Sequence, residues 1–159
     1  MLGIDPGLVE TGFGLLTPGA HGPDVVDTGV IATTKDLALE VRLHLIYDAV
    51  HALIEKHAPD LVVLEDLYAE YKFPRTALLM AHARGVICLA ARQRGVVVHG
   101  LAPGEVKRAV TGNGAASKGQ VQRCVQQLLK LPSLPSPSHV ADALALAFTG
   151  LSRAGGKIG

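Results

Sequence analysis

The chain has 159 residues, 48% of them hydrophobic and 18% charged, the length and composition of one ordinary domain (1–159) that buries its own core. No apolar run is long enough to span a bilayer, and no basic segment leading into a long apolar one opens the chain, so a cytoplasmic protein is expected. The net charge of +1 hides an asymmetry: residues 1–70 carry 12 acids and 3 bases, whereas residues 71–159 carry 2 acids and 12 bases. Such a division suggests a basic face for a polyanion, organised around a few acids. Cys88 and Cys124 have neither CxxC spacing nor a neighbouring His, so they read as small hydrophobes rather than zinc ligands.

The run Leu2-Gly3-Ile4-Asp5-Pro6-Gly7 delivers a carboxylate to a strand end, because Pro6-Gly7 forces an immediate turn. A returning strand over Phe13–Leu16 carries Gly12 and Gly14, which suggests close approach by something that leaves little room for side chains. Asp24 to Thr33 is β-branched and bounded by turn residues, a third antiparallel strand. From Asp36 to Lys56 apolar residues recur at helical spacing, and Pro59 closes the segment. Leu61–Leu64 reads as a strand buried on both faces, ending on Glu65; Asp66, one residue on, points to the opposite face. Two strands that each end in an acid suggest a site at strand ends.

Residues 67–73 collect Tyr68, Tyr71 and Phe73 beside Lys72 and Arg75, a composition equally compatible with contacts to nucleic-acid bases and with a loop packed by its own aromatics. Pro74 opens a helix to about Arg94 with apolar residues around most of its circumference and small residues at Ala77, Ala81 and Gly85. Half of it is expected to face the sheet and half a second subunit, full burial within one chain being the alternative. Val96–Val98 makes a fifth strand, Pro103–Val110 a helix, and Ser117 caps a helix to about Leu131. Lys107, Arg108, Lys118, Arg123 and Lys130 make this stretch basic, and its Gly-rich loop lacks the Gly-Lys-Ser/Thr order of a nucleotide-binding loop, so DNA phosphates are the expected ligand. After the Pro/Ser connector, Ser136 with Pro137, or else Ser138, starts a last helix that presents His139 and Asp142 on one face.

Asp5, Glu65 and Asp142 each sit at an end of an apolar element. Convergence without a counter-ion would raise their pKa values; hard oxygen ligands select Mg²⁺ or Mn²⁺, and two such ions serve phosphoryl chemistry. The order and spacing of Gly3-Ile4-Asp5-Pro6-Gly7, Thr11-Gly12-Phe13-Gly14, Glu65, Ala83-Arg84-Gly85-Val86, Val106-Lys107, Gly112-Asn113-Gly114, Ser117-Lys118 and Ala141-Asp142-Ala143-Leu144-Ala145 closely resemble those of the RuvC family of Holliday (crossover) junction endodeoxyribonucleases. The resemblance covers essentially the whole chain. It implies an α/β, ribonuclease H-like fold: a five-stranded mixed sheet, three antiparallel strands then two parallel, with helices on both faces. It further implies a homodimer formed through the helix from about residue 74 to 94, which nicks a four-way DNA junction symmetrically, leaves 5′-phosphate and 3′-hydroxyl ends, and works with branch-migration proteins. By the same resemblance Asp5, Glu65, His139 and Asp142 hold the two metal ions, Lys107 and Lys118 serve catalysis or DNA contact, Tyr68 matches an aromatic near the junction centre, and Gly12 and Gly14 clear space beside Asp5 for a DNA phosphate. The family often has an acid where this chain has His139, a change that suits Mn²⁺ over Mg²⁺. The rival expectations are a non-cleaving junction-binding module and, less compatible with the length, a sugar-kinase or actin-like ATPase.

Overall fold

The computed structural model describes residues 1–67 and 72–155. Three antiparallel strands open the fold, β1 (Leu2–Asp5), β2 (Glu10–Gly19) and β3 (Gly22–Ala32), followed by helix α1 (Leu39–His57). Strand β4 (Leu61–Glu65), helix α2 (Pro74–Gln93) and strand β5 (Val97–Leu101) come next, then helices α3 (Pro103–Thr111), α4 (Lys118–Leu128) and α5 (Ser138–Gly155). The sheet runs β3-β2-β1-β4-β5, with β4 parallel to both β1 and β5. Every expected element is present; the differences lie at ends, such as α5, which begins at Ser138 and leaves Ser136 and Pro137 ahead of it. At the start of α4, Ser117 Oγ accepts the Gln120 amide proton while the Gln120 side chain accepts that of Ser117, the reciprocal cap its sequence calls for.

Alternation along the strands separates two cores. Leu2, Ile4, Val62 and Leu64 point to a layer shared with Ile46, Val50 and Ile54 of α1 and Ala83, Ile87 and Ala90 of α2. Val63 points the other way, to Val106 and Val110 of α3, Val121 and Val125 of α4, and Val140 and Leu144 of α5. The period of two therefore assigns Gly3, Asp5, Val63 and Glu65 to the α5 side of the sheet. Asp66 falls on the α2 side, where it lies 3.5 Å from Arg84 Nη2; Arg84 Nε also donates to the Glu65 carbonyl at 3.2 Å. Among the described residues no helix is long and apolar enough to cross a membrane.

The glycines of β1 and β2 have a different purpose from the one their sequence context suggests. A Cβ on Gly3 would overlap the Ala143 carbonyl and stand 2.6 Å from Ala147 N, one on Gly12 would overlap the His139 carbonyl, and one on Gly14 would stand 2.6 Å from the Leu144 side chain. The space beside these strands is filled by α5, not left open for a phosphate. Bare strands let the helix backbone sit directly on the sheet, which carries His139 and Asp142 to the end of β1. Gly12→Ala is thus expected to cost about 1–3 kcal/mol through overpacking, seen as a fall of several degrees in Tm by calorimetry; an unchanged Tm would mean that α5 tolerates lifting.

Candidate active site

Asp5 ends β1 on the α5 side of the sheet and is only 8% exposed. The turn after it is held by Thr11, whose buried hydroxyl donates to the Gly7 carbonyl at 2.7 Å and accepts from the Gly7 amide at 3.2 Å. Parallel pairing sets Leu2, Gly3 and Ile4 beside Val62, Val63 and Leu64, a register that continues to Asp5 beside Glu65. From above, the first turn of α5 brings His139 Nδ1 to 2.8 Å from Asp5 Oδ2, a hydrogen bond across 134 residues of sequence. Asp142, one turn along, faces the same point.

These groups share one cleft of about 870 Å³. It is lined by Asp5, Glu65, His139 and Asp142, and also by Lys107 of α3 and Lys118 at the start of α4. Of the other basic positions singled out from sequence, Arg75 also lines the cleft, whereas Lys72, Arg108 and Arg123 are exposed outside it. Tyr68 lies outside the described residues. Three further lining residues, Glu10, Lys35 and Arg42, were not anticipated. Glu10 stands 3.8 Å from His139 Nε2, so the imidazole has a carboxylate at each nitrogen. Its distance from Asp5 in sequence, five positions across a turn, carries no periodic signal that could have placed it there.

The electrostatics are those of like charges crowded together. Burial, then repulsion from Asp5 and Asp142, pushes the Glu65 carboxyl up to about 7, with Lys107 and Lys118 opposing the rise. Burial followed by repulsion from Asp5 lifts Asp142 to about 6, against the pull of Lys118, His139 and Lys107. His139 is raised as well, chiefly by its hydrogen bond to Asp5. Carboxylates and one imidazole fit a hard divalent cation in kind and in charge. Among the described residues no three His, Cys, Asp or Glu side chains stand close enough to share an ion.

A mixed sheet ordered 3-2-1-4-5, with acids ending β1 and β4 and another on the helix laid across them, is the ribonuclease H-like fold. The model of the family described as "Crossover junction endodeoxyribonuclease RuvC" matches residues 1–150, and this chain belongs to the RuvC family. A relative from Rhodopirellula baltica bearing that name is 45% identical over 94% of this chain and 84% of its own length. One from Gloeobacter violaceus is 43% identical over 94% of this chain and 86% of its own. Among solved structures, Thermus thermophilus RuvC in complex with a Holliday junction substrate superposes with a TM-score of 0.89 at 32% identity, covering 96% of this chain and 93% of that one.

Folding favours the protonated forms of Glu65 and Asp142, because both pKa values lie above their unfolded values of 4.5 and 3.8. Their contribution to stability is complete below the unfolded values and is lost as pH rises through about 6 and about 7. The raised His139 acts in the same direction. The Tm of metal-free protein is therefore expected to fall between about pH 5 and pH 7.5. Glu65→Gln should flatten that slope and stand above wild type at pH 7.5, by about 2–4 °C for each kcal/mol of repulsion removed. Parallel slopes would show that burial and the neighbouring acids do not raise Glu65.

Proposed function

We propose that this protein is a crossover junction endodeoxyribonuclease that resolves four-way DNA junctions by paired, symmetric, metal-dependent nicks, leaving 5′-phosphate and 3′-hydroxyl ends. The observation that carries this reading is the convergence of Asp5, Glu65, His139 and Asp142 from three separate elements into one basic-walled cleft. Membership in a family whose members bear that name supports the substrate.

In this reading the four residues hold two Mg²⁺ or Mn²⁺ ions. When bound, such ions lower the pKa of a water and stabilise the leaving oxygen of the scissile phosphodiester. The chain's own groups do the rest. Asp5, fixed by the end of β1 and by the Thr11–Gly7 turn, defines where the phosphate must come; Glu65 and Asp142, once relieved of their protons, stand ready as anionic ligands. His139 must surrender one ring proton to act with them, which couples its role to pH. Lys107 and Lys118 draw the phosphate oxygens towards the acids and offset the charge that develops there. Lys72, Arg75, Arg108 and Arg123, with Tyr68, contact the arms and centre of the junction, and branch-migration proteins move the crossover to the site of cutting.

The homodimer belongs to the same proposal. Leu78 is 66% and Leu89 50% exposed on the outer face of α2, and between them Ala81 and Gly85 leave open space at helical spacing. An apolar strip with a small-residue centre suits a second copy of the same helix.

On a mobile four-way junction, Asp5→Asn is expected to lower nicking by more than about 100-fold, beyond the loss usual for an outer-shell partner, with junction affinity kept. Wild type is expected to cut faster in saturating Mn²⁺ than in saturating Mg²⁺, because His139 is a softer ligand than a carboxylate. Undiminished nicking by Asp5→Asn would overturn the assignment of the site, and equal rates in the two metals would remove the role given to His139. Leu89→Glu should yield a monomer by light scattering and uncouple the paired cuts; a dimeric variant would place the interface elsewhere.

A further inference from the structure

Helix α1 packs on the sheet through Arg42, Ile46, Val50 and Ile54, one residue per turn on a single face. Three of these are the aliphatic residues such a stripe requires. The fourth is an arginine, only 9% exposed, where the stripe reaches the cleft. Burying a guanidinium is costly unless an anion accompanies it. Among the described residues none does: no carboxylate forms an ion pair with Arg42, and Asp36, whose carboxyl it helps to hold down, is fully exposed.

The guanidinium is nevertheless held in a fixed attitude. Arg42 Nε donates to Thr33 Oγ1 at 2.9 Å, and the Thr33 hydroxyl in turn donates to the Leu8 carbonyl in the turn that follows Asp5. Nε alone is used in this way. The Nη groups have no hydrogen-bond acceptor among the described residues, yet no side-chain nitrogen there is both buried and unsatisfied, so they reach solvent, and Arg42 is among the residues that line the cleft. A planar fork with its stem anchored and its two outer nitrogens free is the form in which arginine binds phosphate. Lys35 lines the cleft beside it. Of the three bases in the acidic first 70 residues, Lys35, Arg42 and Lys56, two are therefore in this cleft.

We propose that Arg42 is a DNA phosphate-binding residue, which together with Lys35 and Arg75 adds to the cationic lining that Lys107 and Lys118 give the cleft and grips the cut strand at a phosphate next to the scissile one. The inference rests on the junction-cleaving reading above and adds to it the lining residues of the cleft that nothing else accounts for. It also gives the Thr33–Leu8 link a purpose: the phosphate contact and the Asp5 turn are tied into one rigid piece, so that gripping the strand sets its position relative to the acids.

The test is the salt dependence of binding to a four-way junction in EDTA, where no cutting occurs. Arg42→Gln is expected to make the slope of log K against log salt shallower by about one, to weaken binding at least threefold at low salt, and to keep a Tm close to wild type, since a buried charge without partner is removed. Arg42→Lys keeps the cation but loses the fork, and should keep the slope while weakening binding. A wild-type slope and affinity in a folded Arg42→Gln protein would overturn the proposal, and a lowered Tm accompanying them would mark Arg42 as structural. If only the lysine variant folds, unchanged affinity overturns it. Wild-type protein that fails to bind the junction at all would defeat the functional reading itself, a result distinct from either.

Discussion

The contact on which the rest depends is the one between the backbone of α5 and the glycines of β1 and β2. Three positions without side chains, Gly3, Gly12 and Gly14, allow the helix to rest on the strands at backbone distance. Any Cβ there would lift α5 and, with it, His139 and Asp142 away from Asp5. The 2.8 Å hydrogen bond from His139 to Asp5 is the visible result of that proximity. Because Gly3 and Asp5 share one face of β1, the surface that seats the helix is continuous with the surface that bears the acid.

Close approach has an electrostatic cost. Acids brought together in a half-buried cleft push Glu65 to about 7 and Asp142 to about 6, so the metal-free fold carries a tension that cations relieve. Lys107 and Lys118 oppose that rise without abolishing it. Stability and function are set against each other at this point, as they commonly are where charges are gathered for chemistry.

Much of this was legible in the chain. Acids abutting apolar runs, as at Asp5 and Glu65, announce strand ends, and an acid in the nearly apolar stretch from Ala141 to Phe148 announces a partner. Strand parity then separated Glu65 from Asp66, as Arg84 on the far side of the sheet bears out. Other features depended on packing that local pattern does not encode. The glycines signal close approach but not by what, because nothing in the sequence near Gly12 says that a helix more than a hundred residues later lies over it. Arg42 is charged, so the apolar periodicity of α1 passes over it, although it occupies the register of the buried stripe. Glu10 and Lys35 reached the cleft only through the course of the turns that carry them.

The four acid and imidazole groups of the cleft are drawn from residue 5 to residue 142, and the cover over the glycine strip is α5. During synthesis from the N-terminus, β1, β2 and β3 can pair locally, but their α5-facing surface stays bare until residues 138–155 have left the ribosome. Assembly of the cleft is thus a late, long-range event. A chain halted before α5 lacks two of the four groups and the helix that seats them, so competence to cut DNA arrives together with completion of the fold rather than ahead of it.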